Sequence, residues 1–253
     1  MDQGPAGDGG GRVNAAFEWL FDPEHWSGPT GFPARILEHL GYAGLTVLIA
    51  AVIAVPLGAA IGHTGRGTFL VAGLSNGLRA LPELGLLTFL VLLTYVGLMP
   101  VVISLVVLAL PPILAGTYAG IRNVDPAIVD AAQGMGMRGS GVLLRVELPN
   151  ALPLIIGGIR SATLQVIATA TIAAYVSLGG LGRFVIDGNN AGAGPNGYPQ
   201  MAAGAIMIAV LALVVEGLLS LVQWLVVSPG LRNKASRQRV ARIWRRPTPE
   251  FGR

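Results

Sequence analysis

Apolar residues run in long uninterrupted blocks along this chain, separated by short polar stretches rich in glycine, proline and arginine. Residues 41–62 carry no charged side chain. At ~1.5 Å per residue, a helix of that length crosses a hydrocarbon core of ~30 Å. Pro56 lies inside it and is expected to kink it, and the polar turn at 63–68 ends it. Residues 84–121 are also free of charge, which is too long for one helix across a bilayer. A break at 97–100 divides that stretch into one span ending near Val96 and another starting near Val101. The earlier of these must begin upstream, between residues 69 and 80. Arg79 and Glu83 then lie four apart on one face of one helix, where they can pair. In the later span Pro111-Pro112 removes two backbone donors, so a bend or an unwound turn is expected there. A fourth span is read over 151–176, a loop rich in glycine and asparagine over 178–200, and a fifth span over 201–227. The pattern predicts an all-α membrane protein with about five transmembrane helices.

Composition supports this reading. Hydrophobic residues make up 53% and charged residues 12% of the chain, against roughly 25% charged in a soluble domain, and the mean hydropathy is +0.64. So little charge cannot cover a soluble surface, which argues against a soluble enzyme, a disordered chain or a nucleic-acid module. With no cysteine, a disulfide framework or a thiolate metal site is ruled out. The net charge of +4 is unevenly placed: residues 1–40 hold two arginines against six acids, and 229–253 hold eight basic residues against Glu250. Segments 63–68, 122–150 and 229–253 fall on one side of a five-span topology and carry twelve Lys/Arg; the other side carries three. The excess of positive charge on cytoplasmic segments then puts the amino terminus outside and the carboxyl terminus in the cytoplasm. Three segments follow. Residues 1–35 are an extracytoplasmic stretch, with a glycine-rich start (1–11) read as disordered. Phe17, Trp19, Leu20, Phe21 and Trp26, among acids and prolines, suit a membrane interface, where aromatic rings sit well. Residues 36–228 form the membrane domain with a cytoplasmic loop at 122–150, and 229–253 form a basic cytoplasmic tail.

The long polar connection RNVDPAIVDAAQGMGMRGSGVLLRVELPNALP is informative in detail. Asp125 is a good helix N-cap and Pro126 fits the first helical position. A short helix should run through Gln133, with Gly134 closing it in a left-handed turn. Ile128, Ala131, Ala132 and Met135 fall at helical spacing and make one small apolar face. Gly136 and Gly139 permit a reversal, and a second short helix near 142–147 ends at Leu148-Pro149. A helix this short, outside the bilayer and without a core of its own, needs a partner surface.

This loop resembles the EAA loop of ABC-importer permeases: E-A-A, three residues, G, nine residues, I, one residue, L-P. Here Asp130-Ala131-Ala132, Gly136, Val146 and Leu148-Pro149 keep that spacing, with Asp for Glu and Val for Ile. LRALPELGLL, LALPPILAGTYAGIRNVDPAIVDAAQGMGM and YVSLGGLG further resemble permeases that import glycine betaine, choline, carnitine and related osmoprotectants, over roughly residues 36–228. The resemblance implies the MetI-like arrangement of helices in a bacterial plasma membrane. It also implies a coupling helix, with Asp130, Ala131, Ala132, Gly136, Leu148 and Pro149 as the positions that dock on an ATPase subunit. The implied partners are two ATPase subunits, a second permease copy or a similar chain, and an extracytoplasmic binding protein. ATP and Mg would be bound by the ATPase, with no cofactor in this chain. The one lysine, Lys234, sits in GLRNKAS, which lacks the glycine and the Ser/Thr that a phosphate-binding P-loop requires on either side of its lysine. Hydrolysis of ATP would therefore belong to a partner.

Glu216, inside the fifth span, is the candidate for the substrate pathway, because an intramembrane carboxylate is expensive unless it is used. Its two open roles are attraction of a cationic substrate and a hydrogen bond to a neighbouring subunit. Arg160 and Gln165 in the fourth span read as residues near its cytoplasmic end or in helix packing rather than as ligands. Tyr95, Tyr118 and Tyr175 could offer ring faces to a quaternary ammonium ion, although single tyrosines in spans more often pack. Gly58/Gly62, Gly73/Gly77 and Gly116/Gly120 are small-xxx-small pairs suited to helix contacts. His25, His39 and His63 lack metal-ligand spacing. Two other classes of transporter remain: an ion-coupled secondary transporter using Glu216, and an ABC permease for another small solute such as an amino acid.

Overall fold

The computed structural model describes residues 9–192 and 197–227, and the regular elements among them are all helical. The basic tail 229–253, Lys234 and most of the glycine-rich start lie outside the described residues. Residues 9–11, expected to be disordered, instead open helix α1 (Gly9–Phe21). A single turn over Pro23–Trp26 leads to α2 (Phe32–Thr64), followed by α3 (Thr68–Arg79), α4 (Glu83–Leu93) and α5 (Leu98–Arg122). The loop helix α6 (Pro126–Gly134) and the short α7 (Gly139–Val142) precede α8 (Leu148–Thr169), α9 (Gly182–Asn190) and α10 (Gly197–Val226).

Among the described residues four helical runs are long and apolar enough to cross a membrane, and α3 with α4 passes the same test as a pair bent by 87°. That bend corrects the straight second span. Pro82 disfavours helical backbone at Leu81, so the chain leaves α3 after Arg79 and restarts at Glu83. Arg79 and Glu83 consequently sit on different helices, and among the described residues they form no ion pair. At Pro111-Pro112 the opposite holds: α5 continues through both prolines without an unwound turn.

Helix α5 is the centre of the bundle, buried along most of its length, with α2 and α8 against it. Close approach depends on missing side chains. A Cβ on Gly58 would fall 2.8 Å from Thr117 Cβ, and one on Gly62 2.7 Å from Ile121 Cβ, so α2 lies directly on α5. Gly116 rests on Gly158 of α8, where a Cβ would come 2.9 Å from its Cα. Two of the three small-residue pairs thus build the core contact; Gly73/Gly77 face open space. The buried His39 ring on α2 bonds the Ile167 carbonyl of α8 at 2.9 Å, adding a polar tie to that packing.

The glycine- and asparagine-rich stretch is not simply a loop, since α9 forms within it, braced by Arg183–Asp187 at 2.9 Å and by Phe184 against Gly204 of α10. Trp19 of α1 packs edge-on to Phe32 (5.8 Å) and Phe184 (5.6 Å), while Trp26 Nε1 donates to Leu20 O at 2.7 Å. The aromatic segment therefore divides: Trp19 and Leu20 turn inward, and Phe17, Phe21 and Trp26 stay exposed.

Candidate functional site: the loop helix and the polar cluster in the spans

The loop after α5 folds on local rules. Asp125 caps α6 by accepting from Ala127 N at 3.1 Å, and Pro126 occupies the first helical position. The helix ends later than expected. Gly136, not Gly134, takes the left-handed conformation (φ 84°), Gly136 N donates to Gln133 O at 2.9 Å and Met137 N to Ala132 O at 3.2 Å. This paired closure is the Schellman motif, and it gives the motif glycine a physical reason: a side chain at that φ would be strained.

The apolar face of α6 also divides. Ala132 is 3% exposed and turned inward, whereas Ile128, Ala131 and Asp130 are exposed and Met135 is 75% exposed. The loop thus keeps one small residue for its own packing and presents the others outward.

The return to the bundle differs from the expected break at Leu148-Pro149. From Gly139 to Val176 the chain is one helical run of 38 residues. Over Leu143–Glu147 it widens into a π-turn, with Leu148 N bonded to Leu143 O. Pro149 supplies no N–H and its ring crowds the preceding turn; a wide turn just before it relieves the crowding without ending the helix.

Sequence reasoning missed the tie at this turn. Glu147 is 6% exposed and accepts a hydrogen bond from His63 Nδ1 at 2.5 Å. His63 sits in the last turn of α2, and its Nε2 lies 3.4 Å from where a Cβ of Gly139 would be. One imidazole thus stands between the end of α2 and both ends of the 139–147 segment. The 84-residue separation of the pair leaves no sequence signal for it.

In the spans, Glu216 is not a free anion. Arg160 of α8 pairs with it through Nη2 and Nε, and also donates to Gln223 Oε1 about two turns further along α10. Gln223 Nε2 in turn reaches Pro153 O at 3.2 Å, a carbonyl next to the start of α8. The charge on Glu216 is met within its own chain, which removes the observation behind an ion-coupled carboxylate.

A second missed cluster lies at the other end of the bundle. Glu38 of α2 accepts from Arg35 Nη1 at 2.9 Å and from the Gly180 backbone N–H at 2.7 Å. Gly180 has φ 88°, and a Cβ on Gly179 would overlap the Glu38 carboxylate. The paired glycines of YVSLGGLG are where the chain after α8 presses onto α2.

The family described as "binding-protein-dependent transport system inner membrane component" matches residues 45–224, which takes in this loop and its flanking spans. The chain belongs to this family. It is 33% identical over 197 residues to the glycine betaine/carnitine/choline transport system permease protein OpuCB of Bacillus subtilis, covering 78% of this chain and 88% of that protein. It is 40% identical over 186 residues to the carnitine transport permease protein OpuCD of Listeria monocytogenes, covering 74% and 82%. The fold is that of a chain of the MetNI methionine ABC transporter in inward-facing conformations: TM-score 0.66 at 20% identity, over 76% of this chain and 94% of that one. The permease is thus a multi-pass, all-helical membrane subunit, as its hydropathy pattern requires.

Proposed function

We propose that this permease forms the membrane pathway of an ATP-driven importer for osmoprotectants of the glycine betaine, choline and carnitine class. The observation that carries the reading is α6: a capped, Schellman-closed helix outside the spans that holds the permease spacing and, among the described residues, leaves Ile128, Ala131 and Met135 exposed. The named relatives support the substrate class. An ATPase subunit, with its ATP and Mg, docks on residues 126–147. Asp130 and Ala131 meet it directly. Ala132, Gly136, Leu148 and Pro149 shape the loop that presents them. Two permeases, identical or similar, enclose the pathway, and an extracytoplasmic binding protein delivers the solute. The amino terminus and residues 1–35 lie outside; the tail 229–253 lies in the cytoplasm with the loop. Closure of the ATPase dimer draws the two α6 helices together and opens the spans outward, and hydrolysis returns them.

The test is co-purification of the ATPase with loop variants. Ala131→Glu places a charge on the exposed face and is expected to abolish association while the chain still inserts. Ala132 is a poorer probe, because it is buried in the loop and a bulky replacement there disrupts the loop itself. Unchanged co-purification of Ala131→Glu would overturn the docking assignment. Uphill solute uptake by the permease alone in liposomes would overturn the ATP-driven mechanism.

A further inference from the structure

At the end of the bundle away from α6, a cavity of about 550 Å³ opens between α4 and the close of the α8 run. Its α4 wall includes Leu84, Leu87 and Val91, and Tyr175 and Ser177 form the facing side. Leu87 is fully buried, whereas Tyr175 is 61% exposed. Thr88, also on the wall, already spends its hydroxyl on the Leu84 carbonyl at 2.7 Å. The site is therefore apolar with an aromatic ring, and poor in free hydrogen-bond donors.

Two further observations bear on its occupant. Ser177 is the one non-glycine residue with positive φ among the described residues (60°), and backbone strain of that kind collects at functional positions. It closes the helical turn that carries Tyr175, with Ser177 N bonded to Ala174 O at 3.2 Å and Leu178 N to Ala173 O at 3.1 Å. On α4, Glu83 stands one turn before Leu87, and its Oε1 is buried without a hydrogen-bond partner. Glu83 does not itself line the cavity, but a carboxylate one helical turn from Leu87 biases an apolar site bordered by a tyrosine toward a cation that needs no hydrogen bonds.

We infer that this cavity receives the trimethylammonium head shared by choline, carnitine and glycine betaine, with Tyr175 as its cation–π surface and Glu83 as its counter-charge. This rests on the proposed osmoprotectant import. A trimethylammonium group has no N–H to satisfy and sheds water readily, so an apolar wall costs it little. A ring face attracts it by about 0.5–2 kcal/mol. That is enough to select the cation and weak enough to release it, as a pathway requires. The volume falls in the usual range for small-ligand sites, about 300–1,000 Å³.

The experiment uses the complete importer, with ATPase and binding protein, in proteoliposomes. ATP-driven uptake of choline is compared with that of its neutral isostere 3,3-dimethylbutan-1-ol. Tyr175→Phe and Tyr175→Trp keep the ring and are expected to retain choline uptake. Tyr175→Leu is expected to lower choline uptake efficiency by roughly 2- to 30-fold, with entry of the neutral isostere unchanged. Where Tyr175→Leu fails to assemble, Glu83→Gln serves instead, since it keeps the shape and removes the charge; the same selective loss is expected. Choline uptake equal to wild type, or equal losses for cation and isostere, overturns the assignment of this cavity. If the wild-type importer moves none of the three osmolytes, the import reading itself falls, and this site with it.

Discussion

Replacing one partner of the Arg160–Glu216 pair should cost far more than replacing both. The two groups face each other between α8 and α10, and their side chains are 24% and 30% exposed in the isolated chain. Removing Arg160 leaves a carboxylate among apolar spans, with Gln223 already committed to the Pro153 carbonyl. Breaking a buried pair in this way costs about 3–5 kcal/mol; the partial exposure puts Arg160→Gln near the lower end, about 3 kcal/mol. Glu216→Gln should cost less, about 1–2 kcal/mol, because the guanidinium keeps Gln223 Oε1 and its long stem can reach toward the interface. In the double variant no uncompensated charge remains, so most of the loss should return. The assay is the thermal midpoint of the assembled importer in nanodiscs for wild type, both single variants and the double variant, read as a cycle. Coupling below about 0.5 kcal/mol would mean that the pair does not act as a unit. A Glu216→Gln protein of wild-type stability that no longer imports cations would refute the structural assignment and return Glu216 to the pathway.

Three other perturbations test separate parts of the fold. Gly158→Ala places a Cβ 2.6 Å from Pro112 O, so α5 and α8 must separate; a loss of about 1–3 kcal/mol is expected, read as reduced yield and a lower thermal midpoint, and a neutral result would show that the contact is looser than described. His63→Ala should impair coupling more than Glu147→Gln, because it strands a nearly buried carboxylate at a cost of about 3 kcal/mol or more. The ratio of solute moved to ATP hydrolysed measures this, and equal effects would count against the tie. Ser177→Gly relieves a left-handed residue and is expected to raise stability by up to about 1 kcal/mol; no rise in thermal midpoint would show that the turn is unstrained.

What could be read from the sequence divides along physical lines. Hydropathy marks where a chain is apolar, so four spans and the α6 loop are legible, although α2 begins at Phe32 rather than near 41 and the fourth run at Gly139 rather than near 151. It carries no direction, and the 87° turn between α3 and α4 therefore looked like one helix, although Pro82 was the available signal. The reverse error occurred at Pro111-Pro112, where packing of α5 against Gly158 holds a helix that local rules would break. Helix α9 was illegible because its glycines and asparagines favour loops. It forms through Phe184 and Gly188 packing on α10, which is tertiary. The Glu147–His63, Glu38–Gly180 and Arg160–Glu216 ties join residues 84, 142 and 56 positions apart. Their pairing depends on helix rotation, and one sequence does not contain it.

The continuity of the Gly139–Val176 run links the two ends of the molecule mechanically. A break at Leu148-Pro149 would have left the loop hinged, free to move without moving the spans. Instead the wide turn over Leu143–Glu147 passes straight into α8, and at ~1.5 Å per residue the run extends roughly 55 Å. The loop stands at one end; Tyr175, the strained Ser177 and the cavity they border stand at the other. Packed helices transmit displacement because they are close-packed and cannot absorb it locally, and the Gly116–Gly158 contact fixes the middle of this one against α5. A pull on α6 must therefore pivot the run about that contact and shift Tyr175 relative to α4. Inserting two alanines between Thr163 and Leu164 would keep the helix but rotate its far end by about 200°. ATPase association is then expected to survive and solute uptake to fail. Uptake that persisted through such a rotation would show that the far end need not be in register with the loop.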